Sequence, residues 1–118
     1  MNKLLATALF CALTAVPAAA QSIGGSYDVA GTNFDGSPYS GTAEITLTSE
    51  TTCIIEWSTG STTSEGICMR NDSAFAAGYV LGNEIGLVVY KVMPDGSLHG
   101  LWTLAGRDGN GTEVLTPR

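Results

Sequence analysis

Apolar and polar residues alternate along most of the chain after residue 20, and no stretch of this part keeps a helical period. Alternation with a period of two is typical of strands that bury one face. In the clearest case, Tyr39–Thr48, Tyr, Gly, Ala, Ile and Leu share one face, and Ser, Thr and Glu share the other. The segment Leu87–Val92 is nearly all apolar instead, which predicts a strand that is central or covered on both sides.

Turn signals rich in Gly, Asp, Asn and Ser separate these segments and divide the chain into eight predicted strands. Each connection is short enough for a hairpin, so strands that are neighbours in sequence should pair antiparallel. A meander of eight strands can close on itself and remove its edges. The sequence therefore predicts an all-β fold, an eight-stranded antiparallel up-and-down β-barrel, in preference to a sandwich. Four glycines inside strand patterns predict bulges, bends or close packing: Gly41, Gly66, Gly78 and Gly100.

Cys53 and Cys68 lie symmetrically about Gly60-Ser61, a dipeptide suited to a two-residue type II′ hairpin turn. In that hairpin the two cysteines are directly opposed on the same face, with Cα atoms about 5.5 Å apart. This separation is within disulfide range. We therefore predict a Cys53–Cys68 disulfide, although a bulge near Gly66 would change the pairing. Closing a loop of about 15 residues should add about 3 kcal/mol of stability.

Residues 1–20 have the features of a secretory signal peptide. Lys3 provides the positive start, Leu4–Val16 the apolar segment, and Ala18–Ala20 the small-residue cleavage site. The apolar segment is too short to span a membrane. The sequence thus predicts a signal peptide followed by a single β-barrel domain, residues 21–118. The product would be periplasmic or secreted, without a membrane anchor.

The chain is acidic, with a formal net charge of −6 at pH 7. Nucleic acids and anionic lipids need clustered Lys and Arg, so this charge disfavours both as partners. No catalytic pattern is present: no Ser lies in a nucleophile elbow, and the single histidine, His99, has no oriented partner in sequence. No Cys/His spacing suits zinc, and the oxygen-rich segment Asp108–Glu113 lacks the length of an EF-hand loop. We therefore predict a protein that is not an enzyme, with no cofactor and no metal.

Two groups of residues are candidates for binding. Asn33, Phe34 and Asp35 form a predicted turn in which Phe34 would be an exposed apolar contact for a partner. The second group consists of aromatic residues that could line a ligand cavity, or could simply fill a small barrel: Trp57, Tyr79 and Trp102.

Six sequence segments carry a resemblance to a known family: Gly25–Asn33, Asp35–Gly41, Thr52–Trp57, Gly66–Met69, Gly86–Tyr90 and Asp95–Trp102. Together they resemble a family of small exported bacterial proteins that are called fibronectin-binding. The resemblance implies an exported binding protein whose partner is fibronectin, and it transfers no site residue. A looser likeness, of architecture only, is to the calycin barrels (avidin-like and lipocalin-like) and to bacterial proteinase inhibitors of similar build. Those begin with Gly-x-Trp, where this chain has Gly25-Ser26-Tyr27.

Three functions follow as hypotheses. The first is a monomeric, exported, non-catalytic protein that binds a macromolecule through its surface loops, with fibronectin named by the resemblance alone. The second is carriage of a small apolar ligand inside the barrel. The third is inhibition of periplasmic proteinases through the segment Gln21–Gly25. A filled interior would favour the loops, and a hollow one would favour the cavity.

Overall fold

Eight antiparallel strands close into a barrel in which each strand pairs with its neighbours in sequence and the first pairs with the last. The computed structural model describes residues 22–118. The strands are β1 (Gly25–Thr32), β2 (Pro38–Leu47), β3 (Thr52–Thr59), β4 (Thr62–Asn71), β5 (Ala74–Leu81), β6 (Glu84–Val92), β7 (Leu98–Leu104) and β8 (Gly111–Pro117). The predicted up-and-down barrel is therefore confirmed. The predicted signal peptide lies outside the described residues, and no helix within them is long and apolar enough to cross a membrane.

Apolar side chains fill one end of the barrel, which we call the closed end. The β2–β3, β4–β5 and β6–β7 turns lie there. Phe75, Leu98 and Leu115 are completely buried in this part of the interior. Ile23, which precedes β1, is also buried, and its carbonyl oxygen accepts a 2.6 Å hydrogen bond from the Tyr27 hydroxyl. The chain entering the barrel therefore helps to cover the closed end.

The β3–β4 hairpin has the predicted register. Thr59 pairs with Thr62 across a two-residue turn, and Gly60 has a positive φ of 62°. Cys53 pairs directly with Cys68, the two form a disulfide, and their Cα atoms are 4.9 Å apart. The ladder runs without a bulge, so the predicted disulfide is confirmed.

The nearly all-apolar segment of β6 lies between β5 and β7 in the sheet, but the alternative prediction, that it is covered on both sides, is wrong. Val88 and Tyr90 are buried inside the barrel, whereas Leu87 and Val89 point outwards and are each 54% exposed. The reason is the architecture: a barrel is a single closed sheet, so every strand has one inner and one outer face. Nothing in the described chain covers the outer face of β6.

Four large aromatic side chains lie across a glycine on a neighbouring strand. The cross-strand pairs are Tyr39–Gly31, Tyr79–Gly86, Tyr90–Gly100 and Trp102–Gly111. A Cβ atom at any of these glycines would overlap the aromatic ring, so the missing side chain is what lets each ring lie against the barrel wall.

The four glycines singled out in the sequence divide into two groups. Gly41, Gly66 and Gly100 face closely packed neighbours, as predicted. Gly78 instead points outwards, and a Cβ atom there would meet nothing within 4 Å, so the prediction of tight packing is wrong at Gly78.

Candidate ligand site at the open end of the barrel

A cavity of about 250 Å³ lies inside the barrel, at the end opposite the packed core. Asn33, Thr59, Thr62 and Leu81 border it, and all of them lie at or beside the hairpin turns of this end. We call it the open end. An engineered apolar cavity of about 150 Å³ is known to hold benzene. The space found here therefore suits a molecule of one or two rings.

Four aromatic rings and one carboxylate lie on the cavity wall, together with small polar side chains. The rings belong to Tyr39, Trp57, Tyr79 and Trp102, and the carboxylate to Glu113 of β8. The inward alternation of each strand brings these side chains together from β2, β3, β5, β7 and β8. The cavity thus combines aromatic surface with a few polar groups and a single carboxylate, a common composition for a small-molecule site.

Glu113 is only 6% exposed, and three side chains donate hydrogen bonds to it. The Tyr39 hydroxyl donates to Oε1 at 2.8 Å, the Trp57 indole N–H donates to Oε2 at 3.1 Å, and the Tyr90 hydroxyl also donates to Oε2. A carboxylate has about four lone-pair positions for hydrogen bonds. Oε1 therefore accepts only one hydrogen bond in the described chain, and Glu113 is one of the residues that line the cavity.

Burial has the largest effect on the pKa of Glu113. It raises the pKa of Glu113 above its ordinary value, while the hydrogen bonds from Tyr90, Tyr39 and Trp57 act in the opposite direction. Burial, together with the negative charge of Glu113, raises the pKa of Tyr79 to about 12 and also raises the pKa values of Tyr39 and Tyr90. The tyrosines therefore remain protonated hydrogen-bond donors at neutral pH.

Ring contacts and hydrogen bonds hold the aromatic side chains of the cavity wall in place. Trp57 and Tyr79 meet edge to face, with ring centroids 5.2 Å apart. The Tyr79 hydroxyl donates to the Thr103 carbonyl at 3.2 Å, and the Trp102 indole N–H donates to the Thr112 carbonyl at 3.3 Å. These polar groups are satisfied by the backbone of the barrel, so the wall offers apolar ring surface to the cavity.

The two predicted binding groups meet at this end. Trp57, Tyr79 and Trp102 line the cavity, although ligand binding by them remains a prediction. Phe34, expected to be exposed, is half-buried: its ring stacks on Trp102 with centroids 4.9 Å apart. The turn that carries it is held by hydrogen bonds of Asn33 and Asp35 to Ser37, and Asn33 borders the mouth of the cavity.

Sequence reasoning missed Glu113 because it assigned that residue to the end of an oxygen-rich turn. The signal was the alternation of Gly111, Glu113 and Leu115, which puts all three on the inner face of β8. Within residues 22–118 no group of three or more His, Cys, Asp and Glu side chains could hold a metal ion. His99 lies on the outer face, with Nε2 3.1 Å from the Ser97 hydroxyl oxygen, and takes no part in the cavity.

The comparisons with known proteins support the fold. No protein-family model matches the chain, and no curated protein does. A redesigned β-barrel is similar with a TM-score of 0.69 and 17% identity, covering 81% of this chain and 91% of its own. A de novo fluorescence-activating β-barrel has a TM-score of 0.63 and 14% identity, covering 80% and 93%. A third structure, EF1p2_mFAP2b bound to DFHBI, has a TM-score of 0.66 and 16% identity, covering 85% and 97%.

These structures place the chain in the class of eight-stranded β-barrels. At such low identities the likeness concerns the fold alone. The resemblance to fibronectin-binding proteins stays a prediction, since neither a family model nor a curated protein matches the chain.

Proposed function

We propose that the protein binds a small planar organic molecule in the open-end cavity, with the Glu113 carboxylate as the anchoring acceptor. The observation that carries the proposal is a buried carboxylate, with only one hydrogen bond to Oε1, on the wall of a cavity lined by four aromatic rings. A preorganised polar group within apolar walls is how small-molecule sites fix the orientation of a ligand. Two of the three similar structures were described with fluorescence activation or a bound small molecule, which is compatible with this use of the fold.

The lining favours a ligand that carries an N–H donor, and a cation above a neutral molecule. Within residues 22–118 the cavity has one carboxylate and no basic side chain on its wall. A buried negative charge gains most from a partner of opposite charge, and aromatic faces also attract cations. A carboxylate ligand would be repelled by Glu113 and would find no cationic partner on the wall.

The interior of the barrel supports one of the three functions considered from the sequence. One end is filled, but the other contains a cavity, and this favours the small ligand over contacts through the loops alone. Ile23 is buried against the closed end and Gly25 begins β1, so residues 23–25 of the segment considered for proteinase inhibition are held against the barrel, which disfavours that function. We place the binding outside the cytoplasm because of the predicted signal peptide, and we propose no reaction for the bound molecule.

Three size-matched probes test the proposal: benzamidinium, benzamide and benzoate, titrated by calorimetry and followed through the Trp57 indole N–H in NMR spectra. We expect benzamidinium to bind best and benzoate worst, with about tenfold or more between them. Glu113→Gln should remove this preference while keeping the cavity. Glu50→Gln, at an exposed position in the β2–β3 turn at the opposite end, is the matched control and should change nothing. If none of the probes binds, or if Glu113→Gln keeps the order, the proposal fails.

A further inference from the structure

The outer surface of the barrel is divided into a polar side and an apolar side. On β1 and β2 the outward positions carry mainly Ser, Thr, Asp and Glu. Across β4, β5, β6 and β7 seven large apolar side chains point outwards, and each is between 54% and 75% exposed. They are Ile67, Met69, Val80, Ile85, Leu87, Val89 and Leu101. We call this surface the β4–β7 face.

The size of the β4–β7 face is that of a protein interface. Seven such side chains, each more than half exposed, present on the order of 700 Å² of apolar surface. The largest apolar patch on a typical monomer is about 300–600 Å². A standard interface buries about 800 Å² on each partner. The face is therefore larger than the apolar patches of typical monomers and approaches the area that each partner buries in a standard interface.

The shape of the β4–β7 face fits a second copy of the same face. At its centre β5 contributes only Ala76 and Gly78, and a Cβ atom at Gly78 would meet nothing within 4 Å. On either side, Ile67 of β4 and Leu87 of β6 pair with Gly78 across the strands and rise above it. The result is a shallow groove between two ridges, into which a ridge of a second barrel could pack.

Two opposite charges lie on either side of β5 on this face. Glu65 of β4 pairs with Val80 near the open end, and Lys91 of β6 pairs with Ala74 near the closed end. They lie diagonally across β5, towards opposite ends of the barrel, and neither forms a salt bridge with another residue of the described chain. A two-fold axis in the plane of the face and perpendicular to this diagonal would bring each Glu65 opposite the Lys91 of the other copy.

From these three features we infer that the β4–β7 face is the contact surface of a symmetric dimer of this chain. The large apolar area supplies the driving force, the groove along β5 supplies the fit, and two Glu65–Lys91 pairs at the rim fix the register. The dimer leaves the open ends of both barrels accessible, because the face lies on their sides. The earlier expectation of a monomer is replaced by this proposal.

Sedimentation velocity of the purified protein, from about 1 to 300 µM at physiological salt, tests the inference. The wild type should shift from monomer to dimer with concentration, and Leu87→Lys should raise the dissociation constant about tenfold or more. Thr42→Lys, on the polar side of the barrel, is the control and should dimerise like the wild type. Circular dichroism verifies that each variant keeps the barrel.

The charge pairing has its own test. Glu65→Lys alone should weaken the dimer, because two like charges then meet, and Glu65→Lys with Lys91→Glu should restore it. A double variant that stays as weak as the single one contradicts the two-fold arrangement. A wild type that is monomeric throughout, or a dimer that survives Leu87→Lys, overturns the proposal. Binding to phosphatidylcholine vesicles without any dimer would show that the face meets lipid instead, and would also overturn it.

Discussion

Replacing Glu113 by leucine should destabilise the barrel, by an amount set by the number of buried donors that lose their acceptor. Glu113 accepts from Tyr39, Trp57 and Tyr90, and Leu offers no acceptor. The Tyr39 hydroxyl can turn to the Thr112 carbonyl, 3.3 Å away. Trp57 and Tyr90, 4% and 1% exposed, lose their acceptor inside the barrel.

Each buried donor left unpaired costs about 1–3 kcal/mol, so the two together cost about 2–6 kcal/mol. Removing a carboxylate whose burial is itself unfavourable offsets part of this loss and moves the net result towards the lower end of the range. Against a total stability of about 5–15 kcal/mol for a small domain, a loss of that size is easily measured.

Glu113→Gln separates the hydrogen bonds from the charge. The amide oxygen can take the place of Oε2 and accept from Trp57 and Tyr90, while the amide N–H₂ donates to the Tyr39 hydroxyl oxygen. Tyr39 then donates to Thr112, so every group remains satisfied. We expect Glu113→Gln to cost less than about 1.5 kcal/mol, since only the charge-assisted part of the bonds is lost.

Urea unfolding at pH 7, followed by tryptophan fluorescence and circular dichroism, compares the two variants with the wild type. Glu50→Leu, an exposed carboxylate at the closed end, controls for the loss of a surface charge and should stay within about 0.5 kcal/mol. If Leu and Gln at position 113 cost the same, the hydrogen-bond argument is wrong. If Leu costs no more than the Glu50 control, the carboxylate does not hold the three donors together.

Four further outcomes follow from the structure. Burial raises the pKa of Glu113 above its unfolded value of about 4.5, so the folded state binds the proton more tightly. The stability of the wild type relative to Glu113→Gln should therefore fall as the pH rises through the folded pKa. Urea unfolding of both proteins between pH 4 and 8 measures this, and a difference that stays constant would contradict it. Gly86→Ala should cost about 1–3 kcal/mol and weaken benzamidinium binding, because its Cβ would displace the Tyr79 ring, whereas Gly78→Ala should do neither. Glu56→Lys should stabilise the barrel by about 0.2–1 kcal/mol in low salt, because glutamates lie opposite it on both neighbouring strands, and a gain that survives 1 M salt would refute an electrostatic origin. Reducing the disulfide should lower the free energy of unfolding by about 3 kcal/mol, as measured by urea unfolding with and without reductant.

Much of the fold was visible in local patterns. The alternation in β2 and the symmetry of Cys53 and Cys68 about the Gly60-Ser61 turn concern residues close in sequence, so the rules for one strand and one hairpin were enough. The apolar segment of β6 was misread because it has the composition of a strand buried on both faces. Composition alone does not distinguish a buried outer face from an exposed one.

The candidate site was only partly predictable. Its rings could be identified as inward-facing, because period-two alternation assigns Trp57, Tyr79 and Trp102 to the buried face of their strands. Their position around Glu113 could not be predicted, because Trp57 and Glu113 are 56 residues apart in the chain. Such a contact depends on the closure of β8 against β1.

By itself, the sequence determined the strands, the turns, the disulfide and the inner face of most strands, since these follow from spacing within a strand or across a single turn. The tertiary structure alone decided that one end of the barrel is filled and the other is hollow, that Glu113 faces the hollow end, and that the apolar outer positions of four strands form one surface. The physical reason is that each of these features depends on how far neighbouring strands are shifted and how the sheet closes. Side chains that are distant in sequence become neighbours only when the sheet has closed.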